Sequence, residues 1–174
     1  VYYLKNKKDD LAKKYFLRLK NRRASSVLDN FTSNTLLNWV SFKKMDFANA
    51  QKKINKIDGR FDNLKKIQNV FLHCFYRSKK TEVLFEELVF NQDIDFSRYN
   101  YLFATYLSNV GKIDDAKKVV DFSLKLYPRN LLLNQYKIDL KNGNHDSNFN
   151  CQDLSNIVAE IFYITANALS SQQI

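Results

Sequence analysis

An all-α fold is what this sequence predicts, and three observations carry the prediction. Glycine and proline are scarce, three and one in 174 residues, whereas a sheet protein of this length needs turn residues at many places. Apolar residues recur at helical spacing along most of the chain. Short polar turns also return at a fixed interval: "MDFANA" ends at Ala50, "SKKTEV" at Val83 and "GKIDDA" at Ala116, 33 residues apart each time. Stacked helical repeats use a period of that length.

Each element follows in order. "KNKKDDLAKKYFLRL" predicts a turn and then a helix with Leu11, Tyr15 and Leu19 on one face. Asp9 and Asp10 open that helix, where its dipole favours negative charge. A helix pair is expected over 31–58, turning near Met45, with Leu36, Leu37 and Val40 on the first helix and Phe47, Ile54 and Ile57 on the second. The next pair, over 64–91, turns near Ser78 and carries Ile67, Val70, Phe71 and Cys74, then Phe85, Leu88 and Val89.

The clearest pair spans 97–128. Ser97 is expected to cap its first helix, whose apolar face is Tyr99, Phe103, Ala104 and Leu107. Gly111 ends that helix as a residue able to take a positive φ. A second helix opens on Asp114 and Asp115, presents Ala116, Val120, Ser123 and Leu124, and is stopped by Pro128. The small Ala104, Ala116 and Ser123 allow two helices to approach closely. Residues 131–140 then read as a helix and 141–153 as a polar loop. A last helix carries Leu154, Ile157, Val158, Ile161, Phe162 and Leu169, so that 131–170 forms a degenerate final unit.

The 97–128 segment resembles a tetratricopeptide repeat. Counted from Ser97, the small mid-helix residue falls at Ala104, the turn glycine at Gly111, the second helix's alanine at Ala116, the small residue before Leu124 at Ser123, and the closing proline and asparagine at Pro128 and Asn130. Ala104 stands in for the usual glycine, Asn100 for a common aromatic and Ser123 for alanine. The resemblance implies a right-handed α-α superhelix, a solenoid of antiparallel helix pairs forming one repeat domain over 1–174 with a partial unit at 1–22. Because the pattern begins and ends partway through a repeat, the chain is expected to be a piece of a longer protein. The resemblance and the composition together point to a bacterial one.

Chemistry is sparse in the sequence. Three glycines cannot build a phosphate-cradling loop. The adjacent acidic pairs diverge on helices, and two of them open helices, where capping explains them. His73 and Cys74 are neighbours that point about 100° apart and cannot easily share a metal. His145, Asp146, Cys151 and Asp153 fall in a polar loop. No enzyme activity, metal site or cofactor is expected. Cys74 and Cys151 are too few for a disulfide framework and favour a reducing, cytoplasmic setting, with Cys74 read as a small core residue. No apolar run reaches the length of a membrane span.

What remains is surface. The resemblance implies a concave groove that holds a segment of a partner protein or peptide. It would be lined by Lys65, Gln68, Leu72, Phe75 and Tyr76 in one repeat and by Arg98, Tyr101, Thr105, Ser108 and Asn109 in the next. The second expectation is binding to RNA or another polyanion through the first third of the chain. Residues 1–60 hold 15 Lys and Arg against 5 Asp and Glu, whereas 61–174 hold 13 of each. Lys13, Lys14, Arg18, Arg22, Arg23, Lys52 and Lys53 would track phosphates there. The same bias also suits a solvated helix face.

Overall fold

The computed structural model describes residues 1–21, 26–90, 96–144 and 149–171. Among the described residues the regular structure is entirely helical. In chain order it comprises α1 (Tyr2–Lys5), α2 (Asp9–Lys20), α3 (Val27–Phe42), α4 (Phe47–Asn55), a 3-10 turn (Gly59–Phe61), α5 (Asp62–Phe75), α6 (Thr81–Phe90), α7 (Ser97–Asn109), α8 (Ile113–Leu126), α9 (Leu131–Lys141) and α10 (Leu154–Ser171). The helix turns expected near Met45, Ser78 and Gly111 fall between α3 and α4, α5 and α6, and α7 and α8.

Local chemistry sets these boundaries. At the start of α3, Ser26 Oγ accepts from the Asp29 amide at 3.1 Å while the Asp29 carboxylate accepts from the Ser26 amide at 3.0 Å, a reciprocal capping box. Asp46 opens α4 by accepting from the Asn49 amide at 2.8 Å, and that bond holds its carboxyl below the usual range. Gly111 sits at φ +83°. Its amide donates to Ser108 O at 3.0 Å and the Lys112 amide donates to Leu107 O at 2.9 Å, so the orphan carbonyls ending α7 are met. Arg77, 34 residues earlier, holds the matching position after α5 at φ +54°, without glycine's freedom.

The chain divides into two compact units, Val1–Tyr76 with Gln152–Ile174, and Arg77–Cys151. In the first, α3 packs against α2, α4 and α10. Leu36, Trp39 and Phe42 of α3 are buried, and Trp39 Nε1 donates to Gln68 Oε1 on α5 at 2.6 Å. Thr32 on α3 shares a 3.1 Å hydroxyl hydrogen bond with Thr165 on α10. The Tyr76 hydroxyl lies 2.8 and 2.9 Å from the carbonyls of Phe42 and Met45, pinning the turn between α3 and α4.

In the second unit α7 packs against α6, α8 and α9, and α8 against α9. Asn100 Nδ2 donates to Ser123 Oγ at 2.8 Å. The two residues are nearly equidistant from Gly111, so α7 and α8 run antiparallel. These were two of the departures from the repeat pattern, and they satisfy each other. Asn130 caps α9 by accepting from the Leu133 amide and reaches back to Ser97 Oγ at 2.9 Å.

Several expectations need correction. On α2 the buried residues are Ala12 and Phe16, while Leu11 and Tyr15 are exposed. Both stripes have helical spacing, and packing against α3 selects between them. Ser97 does not cap α7, because Phe96 occupies the cap position without a side-chain bond and the Ser97 hydroxyl is taken by Asn130. Leu124 is only half-buried, and Val119 fills the core in its place. Phe162 is exposed, and the Leu169 side chain lies outside the described residues. The unit expected over 131–170 is divided, with α9 in the second compact unit and α10 in the first. Neither cysteine is a free thiol: Cys74 and Cys151 are both disulfide-bonded. The reducing compartment inferred from there being too few cysteines for a disulfide framework loses its basis. Among the described residues no helix is long and apolar enough to cross a membrane.

Candidate binding cleft

The groove positions implied by the repeat pattern are largely occupied by the fold itself. Gln68, Leu72, Tyr101, Thr105 and Ser108 are all buried. Gln68 accepts from Trp39, Thr105 donates to Leu102 O at 2.9 Å, and Ser108 Oγ lies 2.8 Å from the Tyr136 hydroxyl. The Tyr101 ring stands edge-on to Tyr136 at 5.2 Å. Phe75 and Tyr76 are half-buried, and Phe75 packs edge-on against Trp39 at 5.8 Å. Lys65 donates to Asn55 O at 3.1 Å, Asn109 donates to Phe149 O at 3.0 Å, and Arg98 is half-buried. An aromatic or hydroxyl at a groove position can pack inward as readily as outward, and here most do.

An open concavity of the first unit lies elsewhere, along α3. It is a cleft of 390 Å³ between α3 on one side and the end of α4 with the following 3-10 turn on the other. Asn30, Asn34 and Asn38 line the α3 side. They stand at i, i+4 and i+8, which sets them on one face at intervals of about 6 Å along the axis. Asn30 and Asn34 are exposed and Asn38 is half-buried. None of the three side-chain amides makes a hydrogen bond to the described residues.

The opposite side is cationic. Lys53, Lys56 and Arg60 line it together with Asp58. Asp58 clasps Arg60 twice, accepting from Nε at 3.1 Å and from Nη2 at 2.7 Å, and also accepts from the Arg60 amide at 2.9 Å. These bonds depress its carboxyl from 3.8 to about 2, so Asp58 stays ionised and Arg60 stays engaged. The ammonium groups of Lys53 and Lys56 have no ion-pair or hydrogen-bond partner among the described residues. Near Asn30, the Phe31 and Phe61 rings stack with centroids 4.5 Å apart, giving the cleft an apolar wall.

Of the seven residues proposed as a phosphate track, Arg22 and Arg23 lie outside the described residues. Lys13, Lys14 and Arg18 are exposed on α2 and Lys52 is exposed on α4. Of the five described, Lys53 alone lines the cleft. Arg18 lies over the Tyr15 ring, 5.3 Å from its centroid. The second unit holds a smaller recess of 270 Å³ between α8 and α9, where Asp121 and Lys137 already pair at 2.7 Å. His145 and Asp146 lie outside the described residues, and the disulfide-bonded Cys151 has no thiolate to offer a metal.

Asn30, Asn34 and Asn38 were not among the expected site residues; they recur along α3 at helical spacing, as its apolar residues do, and that polar period is the one sequence signal that marks them. Set against protein-family models, curated proteins and solved structures, the chain matches none of them.

Proposed function

We propose that the chain is a noncatalytic interaction module that holds an extended segment of a partner protein along α3. The carrying observation is the row of three carboxamides lining one cleft with no hydrogen-bond partner among the described residues. A primary amide offers a donor and an acceptor, which is what each residue of an extended backbone also offers. Intervals of about 6 Å between asparagines approach the two-residue repeat of an extended chain, about 6.6 to 6.8 Å. Each amide can then meet every second residue of a strand lying along the helix. A cleft already formed by packed helices avoids part of the ordering cost of binding.

The tetratricopeptide-like reading of the architecture supports a scaffold role. The hairpin of α7 and α8 turns at a positive-φ glycine, buries Ala104 and Ala116 where the helices meet, and ends before Pro128. The ligand site proposed here differs from the groove that the repeat pattern implied, since half of those residues are buried.

Selection of random peptides of about twelve residues on the whole chain tests the proposal. Alanine has a higher helix propensity than asparagine, so N30A/N34A/N38A is expected to fold with a melting temperature no lower than the parent's. Enriched peptides are expected to lose about tenfold or more in affinity on this variant. Peptides that bind it as well as the parent chain would move the site elsewhere, and a selection that enriches nothing would end the proposal.

A further inference from the structure

We propose that the segment held in the α3 cleft is acidic, with carboxylates meeting Lys53 and Lys56 and an apolar side chain against Phe31 and Phe61. This rests on the reading of the cleft as a site for a protein segment and assigns the chemistry of that segment. Three cations and one carboxylate line the cleft, and the carboxylate is committed to Arg60. The two lysines are thus the groups left without a counter-charge. They line the cleft across from the amide row, so a strand whose backbone meets the asparagines can turn the side chains of one face toward them.

The stacked phenylalanines stand beside Asn30, at the start of α3. One apolar side chain seated there would fix the register of the strand, while the lysines select charge. A protein segment is favoured over a nucleic acid strand by the same inventory. Carboxamides do not neutralise phosphates, and two ammonium groups without a counter-charge are few for a backbone charged at every residue. The match of the amides is to alternating backbone donors and acceptors, which a peptide has and a phosphodiester lacks.

Fluorescence polarisation with labelled peptides of about twelve residues tests this on the whole chain. One peptide alternates Glu with Val, a second carries Gln at the Glu positions, a third carries Lys, and an oligouridylate of similar length serves as a fourth probe. The Glu peptide is expected to bind about tenfold tighter than the Gln peptide, and the Lys peptide most weakly. K53Q/K56Q should erase the difference between the Glu and Gln peptides, with circular dichroism unchanged. Equal affinity for Glu and Gln peptides in the parent chain would overturn the acidic assignment and leave the peptide site standing. Failure of all three peptides would remove the peptide site and the assignment with it. Tighter binding of the oligouridylate, lost in K53Q/K56Q, would replace both with a nucleic-acid site.

Discussion

At the scale of residues, the buried polar pairs are the most exposed to mutation. Asn100 and Ser123 are 4% and 0% exposed, so Ser123→Ala leaves a buried amide short of its acceptor and should cost about 1–3 kcal/mol by urea unfolding. The double change N100L/S123A should recover part of that loss, because removing both partners leaves nothing unsatisfied. Asp58 supplies a pH signature. Its carboxyl is depressed in the folded chain to about 2, so its contribution is present above the unfolded value near 3.9 and is lost as pH falls through the folded one. Acid unfolding between about pH 4 and 2 should accordingly flatten in Asp58→Asn. Little of this was legible beforehand. Asn100 and Ser123 read as separate departures from a repeat pattern, and only their positions on facing helices make them a pair. The buried Gln68 and Thr105 likewise read as groove residues, because a polar side chain does not announce which neighbour will satisfy it.

Helix ends show what sequence can and cannot specify at the scale of elements. Gly111 was assigned to its turn from its type, and its φ of +83° bears this out. No atom lies within 4 Å of where a Cβ would stand, so Gly111→Ala should cost about 1 kcal/mol through backbone strain alone. The corresponding turn after α5 carries Arg77 at φ +54°, and no sequence rule singled it out. Arg77→Gly is therefore expected to raise the thermal midpoint, with a gain of up to about 1 kcal/mol. A lower midpoint would show that the arginine side chain contributes more than its strained backbone costs. Ala116 is fully buried, and Ala116→Leu should overpack the α7 and α8 hairpin by about 1–3 kcal/mol. Helical periodicity located nearly every element, but on α2 it offered two equivalent stripes, and the choice between them was made by α3.

For the molecule as a whole, an apolar helix face says that a partner exists and not which one. The last helix was placed in a terminal repeat with α9, yet α10 packs on α3 and α1 in the first compact unit. Trp39, the chain's one tryptophan, is fully buried in that unit and makes its unfolding visible by fluorescence. Removing residues 154–174 withdraws the buried Leu154, Ile157, Val158, Ile161 and Ile164. It should lower the midpoint followed at Trp39 by an amount worth several kcal/mol. An unchanged midpoint would mean that α10 does not stabilise the first unit. The proposed interaction site has the same history: the all-helical fold class and the 33-residue period were readable, whereas the cleft required knowing that Asn30, Asn34 and Asn38 share it with Lys53 and Lys56.

The most direct test of the central claim watches the asparagines themselves. Side-chain amide resonances of Asn30, Asn34 and Asn38 can be followed by NMR while the Glu-containing peptide is titrated into the whole chain. All three should shift and saturate together, while those of Asn134 and Asn142 in the second unit stay in place. Saturable binding that leaves the three α3 amides unmoved would contradict the account.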